Sequence, residues 1–193
     1  MRIFYALNFA DHVKTAIYNN IHEIKKYTAR GNFTLRENFH ITLLFIGECM
    51  PNQLPLFKKI ADAAANKINT AAVTAYIDGL GSFARTREEL VWVGIKTEPS
   101  DILQKINSVL TDETLKNGIR IKDSSKQRFT PHITIARRVE FRQISGKDLH
   151  LIKFEPVNCT IDSVTLMESV SIQENYRSRI IYKPLYEAKF ANK

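Results

Sequence analysis

The sequence predicts an α+β fold made of two related lobes, because one pattern of elements and residues occurs twice. In each copy an apolar strand is followed by an amphipathic helix and then by a strand that opens on His-x-Thr. The two motifs are His40-Ile41-Thr42-Leu43 and His132-Ile133-Thr134-Ile135. Phe4 in the first strand precedes His40 by 36 residues, and Val93 in the corresponding strand precedes His132 by 39. A repeated order at matched spacing indicates an internal duplication.

Apolar periodicity predicts the elements of the first half in order. Alternating apolar residues indicate strands, and apolar residues at helical spacing indicate helices. One helix is expected from Asp11 to a stop near Gly31, and a second is expected to open at Pro51 and Gln53. A glycine-rich turn is expected after the third strand. The strands expected here are residues 2–9, 40–47 and 73–77.

The second half follows the same order and adds a tail. A strand over residues 90–95 precedes a helix that starts at residues 99–101 and ends by Gly118. The second His-x-Thr strand comes next. Two further strands are expected at residues 159–168 and 178–186, joined by a polar loop over residues 171–175.

Bulk composition bounds the class of protein. The chain has 193 residues, of which 44% are apolar, and no linker separates the halves. We therefore expect a single domain over residues 1–193, with intertwined lobes at roughly 1–88 and 89–193. The net charge of +8 favours polyanionic partners such as nucleic acid, although many basic surfaces have no such role.

The cysteines and the N-terminus narrow the class further. Only Cys49 and Cys159 are present, which predicts neither a disulfide framework nor a cysteine metal site. No apolar run has secretory or bilayer length. We expect a cytoplasmic, monomeric protein that has no membrane partner.

The repeated motif suits acid–base chemistry on an anion. Alternate side chains of a strand share a face, so His40 lies beside Thr42 and His132 beside Thr134. One such pair alone would usually be structural, but two copies about a pseudo-two-fold axis would face one cleft. One imidazole can accept a proton while the other donates one. The threonine hydroxyls can donate to phosphate oxygens. This chemistry requires no cofactor and no metal.

These motifs and their flanks, NFHITLLFIGE, GLGSF and RFTPHITIARR, resemble the 2H phosphoesterases. Within them the chain is most similar to the bacterial and archaeal RNA 2′,3′-cyclic phosphodiesterases, long labelled 2′-5′ RNA ligases. The resemblance implies antiparallel sheets that line a central cleft, with helices outside. It also implies hydrolysis of RNA 2′,3′-cyclic phosphate ends to 2′-phosphomonoesters. By position, His40 would be the proton donor and His132 the proton acceptor, and near-symmetry lets these roles exchange. Thr42 and Thr134 would hold the phosphate.

Three further residues, Arg128, Arg85 and Phe129, are candidates for contacts with substrate. Arg128 could share the face of His132 and contact phosphate, and Arg85 could guide a polyanion or simply be solvated. Phe129 could stack on an RNA base or pack in the core. By strict alternation, Arg137 should face away from the cleft and form a structural pair.

The sequence leaves several hypotheses about the function open. No H-E-x-x-H or clustered ligand pattern is present, so no metal site is expected. A non-catalytic RNA-end-binding module is the main alternative to an enzyme. Within the enzyme class, small cyclic nucleotides or 2′-5′ linked oligonucleotides are alternative substrates.

Overall fold

A computed structural model describes residues 1–84, 88–121, 129–174 and 177–191. Four α-helices lie in this part of the chain: α1 (Asp11–Asn19), α2 (Ile21–Lys26), α3 (Leu54–Asn66) and α4 (Ile102–Lys116). The strands are β1 (Arg2–Asn8), β2 (Thr28–Phe33), β3 (His40–Glu48), β4 (Val73–Ala84), β5 (Glu89–Glu98), β6 (His132–Phe141), β7 (Val157–Ile161), β8 (Ser163–Glu174) and β9 (Arg177–Lys189).

The strands form one antiparallel sheet with the two His-x-Thr strands at its centre. Its order is β7-β4-β5-β6-β3-β1-β8-β9, and β2 also pairs with β6. β3 and β6 meet at the register pair Ile41↔Ile133. β1 flanks β3 on one side of this pair and β5 flanks β6 on the other. The predicted α+β fold with antiparallel strands is confirmed.

The helices cover one face of the sheet and leave the other face for the site. Inward residues of β1, including Ile3, Tyr5 and Leu7, share a fully buried core with Ile17 of α1 and Phe57 of α3. Burying each large aliphatic side chain contributes about 1.5 to 3 kcal/mol. The Tyr5 hydroxyl donates to the Phe57 carbonyl at 2.8 Å, so this buried polar group is satisfied.

The first helix is shorter than predicted. It breaks at Asn20, resumes as α2 and ends at Lys26, and Gly31 lies in β2. The Asn20 amide donates to the carbonyls of Ala16 and Glu155. A side chain that competes for backbone groups in this way disfavours an uninterrupted helix.

Two expected irregular segments are strands instead. The glycine-rich turn lies inside β4, where Gly79 has φ +77 at a shift in register against β5. Glycine accepts this conformation without strain. The expected polar loop begins inside β8, because Ser171 opposes Ile180 and Gln173 opposes Ser178 in the β8–β9 hairpin. The hydroxyls of Ser171 and Ser178 hydrogen-bond diagonally across the two strands at 2.7 Å. Polar residues on an exposed ribbon do not interrupt its pairing. The strand expected at residues 159–168 is divided between β7 and β8.

Candidate active site

The two motifs meet around the pair Ile41↔Ile133. Both isoleucines are fully buried in the core, so their neighbours point to the opposite, open face of the sheet. An antiparallel pair has a local two-fold axis, which here relates His40 to His132. Continuing the register by one residue places His40 beside Thr134 and Thr42 beside His132. The structure therefore brings all four predicted residues onto one face of two adjacent strands.

Each imidazole is fixed in the same way by the backbone just before it. His40 Nδ1 bonds the carbonyl of Asn38 at 2.7 Å, and His132 Nδ1 bonds the carbonyl of Thr130 at 2.7 Å. A carbonyl can only accept, so Nδ1 carries the hydrogen in both rings. Nε2 is then the atom that gains and loses a proton. In His40 it lies 3.1 Å from the Thr42 hydroxyl, which can donate to it.

Aromatic rings pack against both histidines and form a wall beside each of them. The His40 ring lies 5.1 Å from the ring of Phe4 in β1 and 4.8 Å from that of Tyr182 in β9. The His132 ring lies 5.1 Å from Phe83 in β4 and 6.4 Å from Trp92 in β5. These walls exclude water from one side of each imidazole and fix its orientation.

The walls and nearby cations disfavour the charged form of both rings. Burial lowers the pKa of His40 to about 4, against the opposing hydrogen bond to Asn38, and the positive charges of Arg137 and Lys14 lower it further. Burial also lowers the pKa of His132, again with help from Arg137. Both rings are therefore neutral in the free protein at pH 7.

A β-bulge follows the threonine in each motif strand. Leu43 and Leu44 are both buried, as are Ile135 and Ala136. The register shifts at these points, because Tyr5 and Ala6 of β1 oppose Leu44 and Thr42, and the same slip occurs between β5 and β6. A bulge reverses the alternation of the residues beyond it. The fifth residue after each histidine therefore returns to the cleft face.

Those fifth residues are Phe45 and Arg137, and sequence reasoning missed both. Alternation predicted that Arg137 faces away, which is wrong because the bulge at Ile135 and Ala136 reverses its side. Arg137 is exposed and lowers the pKa of both histidines. Phe45 is 37% exposed, and the Arg2 guanidinium lies 4.8 Å from its ring centroid. The signal in the sequence is the pair of consecutive apolar residues after each threonine.

Of the three remaining candidates, Phe129 is the one that lies in the described part of the chain. Phe129 is partly buried and packs against the main core, and its stacking on a base stays a prediction. Arg85 and Arg128 lie outside the described residues. Among the described residues, no group of three or more His, Cys, Asp or Glu side chains is placed to hold a metal ion. None of the described helices combines the length and the apolar character needed to span a membrane.

Comparison with known proteins agrees with this architecture. Residues 13–171 match the family model of the 2′-5′ RNA ligase superfamily. The RNA 2′,3′-cyclic phosphodiesterase of Thermotoga maritima is 28% identical over 192 residues, which cover 98% of this chain and 96% of that protein. The protein of the same name from Aeropyrum pernix is 31% identical over 163 residues, 81% of this chain and 84% of that one.

Solved structures share the fold. The crystal structure of E. coli LigT complexed with 3′-AMP matches with a TM-score of 0.72 at 23% identity, covering 98% of this chain and 97% of that one. TT0787 of Thermus thermophilus matches with a TM-score of 0.69 at 20% identity, covering 98% of each chain. The resemblance inferred from the motifs is thus confirmed, and the chain belongs to the 2′-5′ RNA ligase superfamily.

Proposed function

We propose that this protein hydrolyses RNA 2′,3′-cyclic phosphate ends to 2′-phosphomonoesters, using His40 and His132 as an acid–base pair without a metal ion. The supporting observation is the placement of two imidazoles, each with its hydrogen on Nδ1 and none on Nε2, and two threonine hydroxyls on one open sheet face around Ile41↔Ile133. Relatives that match over most of their length are named RNA 2′,3′-cyclic phosphodiesterase, which supports the substrate class.

In the proposed reaction, water attacks the phosphorus while Nε2 of His132 takes its proton. The bond from phosphorus to the 3′ oxygen breaks, and Nε2 of His40 gives that oxygen a proton. The ester to the 2′ oxygen remains, so the product is a 2′-phosphomonoester with a 3′ hydroxyl. Thr42 and Thr134 donate to the non-bridging oxygens, where negative charge is held in the transition state. Each acid or base accounts for on the order of 10²- to 10⁴-fold in rate.

The general acid must take up its proton when the substrate binds. His40 is neutral in the free protein because burial lowers the pKa of its ring to about 4. A phosphate anion about 4 Å away would favour the protonated ring by about 1 to 4 kcal/mol. It would also offset the positive charge of Arg137. We therefore infer that substrate binding and protonation of His40 occur together.

Exposed aromatic rings on the cleft face of the sheet give the nucleoside a surface to bind. Phe83, which contacts His132, is 38% exposed and Phe45 is 37% exposed. A base stacked on such a ring gains about 1 to 3 kcal/mol without sequence preference. We propose that these rings bind the bases next to the cyclic phosphate while Arg137 binds the phosphate itself.

The test is turnover of an oligonucleotide 2′,3′-cyclic phosphate by purified protein in excess EDTA, followed by ³¹P NMR. We expect ring opening and a 2′-phosphomonoester as the product. An intact cyclic phosphate, or opening that returns only when a divalent metal is added, would overturn the proposal. The same assay with a cyclic mononucleotide and with a 2′-5′ linked dinucleotide ranks the alternative substrates by kcat/KM.

The net charge of +8 favours one alternative, a module that binds RNA ends without turnover. Two titrating rings placed about one axis argue against it, because binding alone does not need proton transfer. Salt-sensitive binding of the cyclic phosphate with no product after long incubation would favour this alternative.

A further inference from the structure

The orientation of His40 depends on the short turn that precedes it. The turn is a 3₁₀ segment, Arg36–Asn38, and its last carbonyl accepts the Nδ1–H of His40. If that carbonyl moved, the hydrogen could shift to the other ring nitrogen, and Nε2 would lose its free lone pair. The contacts that hold Asn38 in place therefore also determine which ring nitrogen of His40 carries the hydrogen.

The side chain of Asn38 is bonded at both of its polar atoms to the edge of the sheet. Nδ2 donates to the carbonyl of Ile180 at 2.7 Å, and Oδ1 accepts from the amide of Tyr182 at 3.0 Å. The residue is 6% exposed, so both bonds are sheltered from water. The amide pairs with β9 as a neighbouring strand would, next to the aromatic ring that walls His40.

Helix α1 holds the same turn from another direction. The ammonium of Lys14, which is 7% exposed, donates to the carbonyl of Glu37 at 3.0 Å. The second motif is built differently, because Thr130 is followed by Pro131, whose ring restricts the backbone. At the corresponding position the first motif has Phe39. The carbonyl before His40 has no proline after it, and contacts from β9 and α1 hold its turn in place.

We propose that Asn38 is a positioning residue for His40. It fastens the Arg36–Asn38 turn to β9 and thereby keeps the hydrogen of the His40 ring on Nδ1, which leaves Nε2 without a hydrogen. The consequence for turnover rests on the proposed function, whereas the statement about the ring does not. The ring of Tyr182 packs against His40, and the backbone amide of Tyr182 bonds the Asn38 side chain. The same link therefore also fixes the position of the Tyr182 ring relative to the imidazole.

The first test is the tautomer of His40, measured by ¹⁵N NMR at a pH above the titration of both rings. Asn38→Ala should move the hydrogen from Nδ1 toward a mixture of both nitrogens. The matched control is Asn20→Ala. Asn20 bonds the backbone of Glu155 at both amide atoms, is 7% exposed, and lies at the junction of α1 and α2. This control should destabilise the protein in a similar way and leave the His40 spectrum as in the wild type.

The second test is kinetic. Asn38→Ala should lower kcat by roughly tenfold to a hundredfold, less than the 10² to 10⁴ expected for losing an acid outright, and change KM little. The pH dependence of kcat should shift, whereas Asn20→Ala should leave it unchanged. If Asn38→Ala does not fold, Asn38→Asp keeps the bond from Tyr182, and an intermediate tautomer shift is expected.

The two tests separate this inference from the proposed function. A wild-type protein without activity would refute the function, and the tautomer measurement would still decide the role of Asn38. A His40 ring that stays fully protonated at Nδ1 in every folded Asn38 variant, with an unchanged pH profile, would overturn the inference.

Discussion

At the scale of single residues, the site depends on keeping a histidine in an apolar environment. The rings of Phe4 and Tyr182 pack against His40 and exclude water, which keeps the imidazole neutral and its Nε2 available. The same burial makes folding of this region sensitive to acid, because an unfolded histidine is free to take up a proton.

The first prediction concerns this acid sensitivity. The unfolded ring titrates near pH 6.5 and the folded ring at about pH 4. Between these values the unfolded state binds more protons, so the free energy of unfolding falls as the pH falls from 6.5 to 4. The difference amounts to about 3 kcal/mol at most. Chemical denaturation of His40→Gln across this range should show a shallower loss than the wild type.

The control for this measurement is His150→Gln, which replaces an exposed histidine outside the cleft. It should retain the full loss of stability below pH 6.5. Equal slopes for His40→Gln and the wild type would mean that the folded ring titrates normally.

The second prediction concerns Arg137. Replacing it with Met should lower kcat/KM by roughly tenfold to a hundredfold, as expected for a lost charged hydrogen bond worth about 1.5 to 3 kcal/mol. Removing its positive charge should also raise the pKa of both histidines, so both limbs of the pH–rate profile should move to higher pH. Steady-state kinetics over a pH series measures both effects.

Arg138→Met is the neighbouring control, since Arg138 is also exposed and its replacement removes the same charge from the next position of β6. Similar kinetic losses in the two variants would show that Arg137 contributes only to the general positive charge of the protein.

At the scale of elements, the two bulges decide which side chains the strands present. The alternation of residues in β3 and β6 correctly placed His40, Thr42, His132 and Thr134 on one face. It failed beyond the threonines because sequence alternation assumes a regular ladder. Consecutive buried residues, such as Leu43 and Leu44, mark where that assumption ends. The register that confirms a bulge comes from the neighbouring strand, which the sequence does not identify.

The third prediction concerns the packing of β4 against β5. A Cβ atom added at Gly81 would lie 2.4 Å from the indole of Trp92, so Gly81→Ala must displace the ring. We expect a lower Tm, a changed emission spectrum from the sole tryptophan of the chain, and a lower kcat/KM, because Trp92 also contacts Phe83. Thr74→Ala, at an exposed position of the same strand, is the control. Unchanged emission in Gly81→Ala would show that the indole does not lie over Gly81 in solution.

At the scale of the whole molecule, the sequence indicated the internal duplication but not how the remaining strands, β2 and β8, join the sheet. The matched order of strand, helix and motif predicted two related halves. The sequence did not indicate that β2 would extend the sheet beside β6, because its segment, Thr28–Phe33, has few apolar residues. The pairing of β8 with β1 depends on contacts between residues far apart in the chain, which periodicity alone does not specify.

The fourth prediction uses the net charge of +8 to separate RNA from small nucleotides as substrates. For a long RNA with a cyclic phosphate end, kcat/KM should fall by roughly sevenfold to twentyfold between 50 and 200 mM salt if two or three further phosphates are contacted. A cyclic mononucleotide should show a much weaker dependence. Equal salt dependence for both would indicate that the protein contacts only the terminal nucleotide.

The central claim is that both imidazoles act on one phosphate group, and single-turnover rates of cyclic phosphate opening test it most directly. We expect His40→Gln and His132→Gln each to lower the rate by on the order of 10² to 10⁴. The double variant should be about as slow as the slower single variant, because groups that act as a unit are not additive. A single variant with the wild-type rate, or losses that multiply in the double variant, would contradict the account.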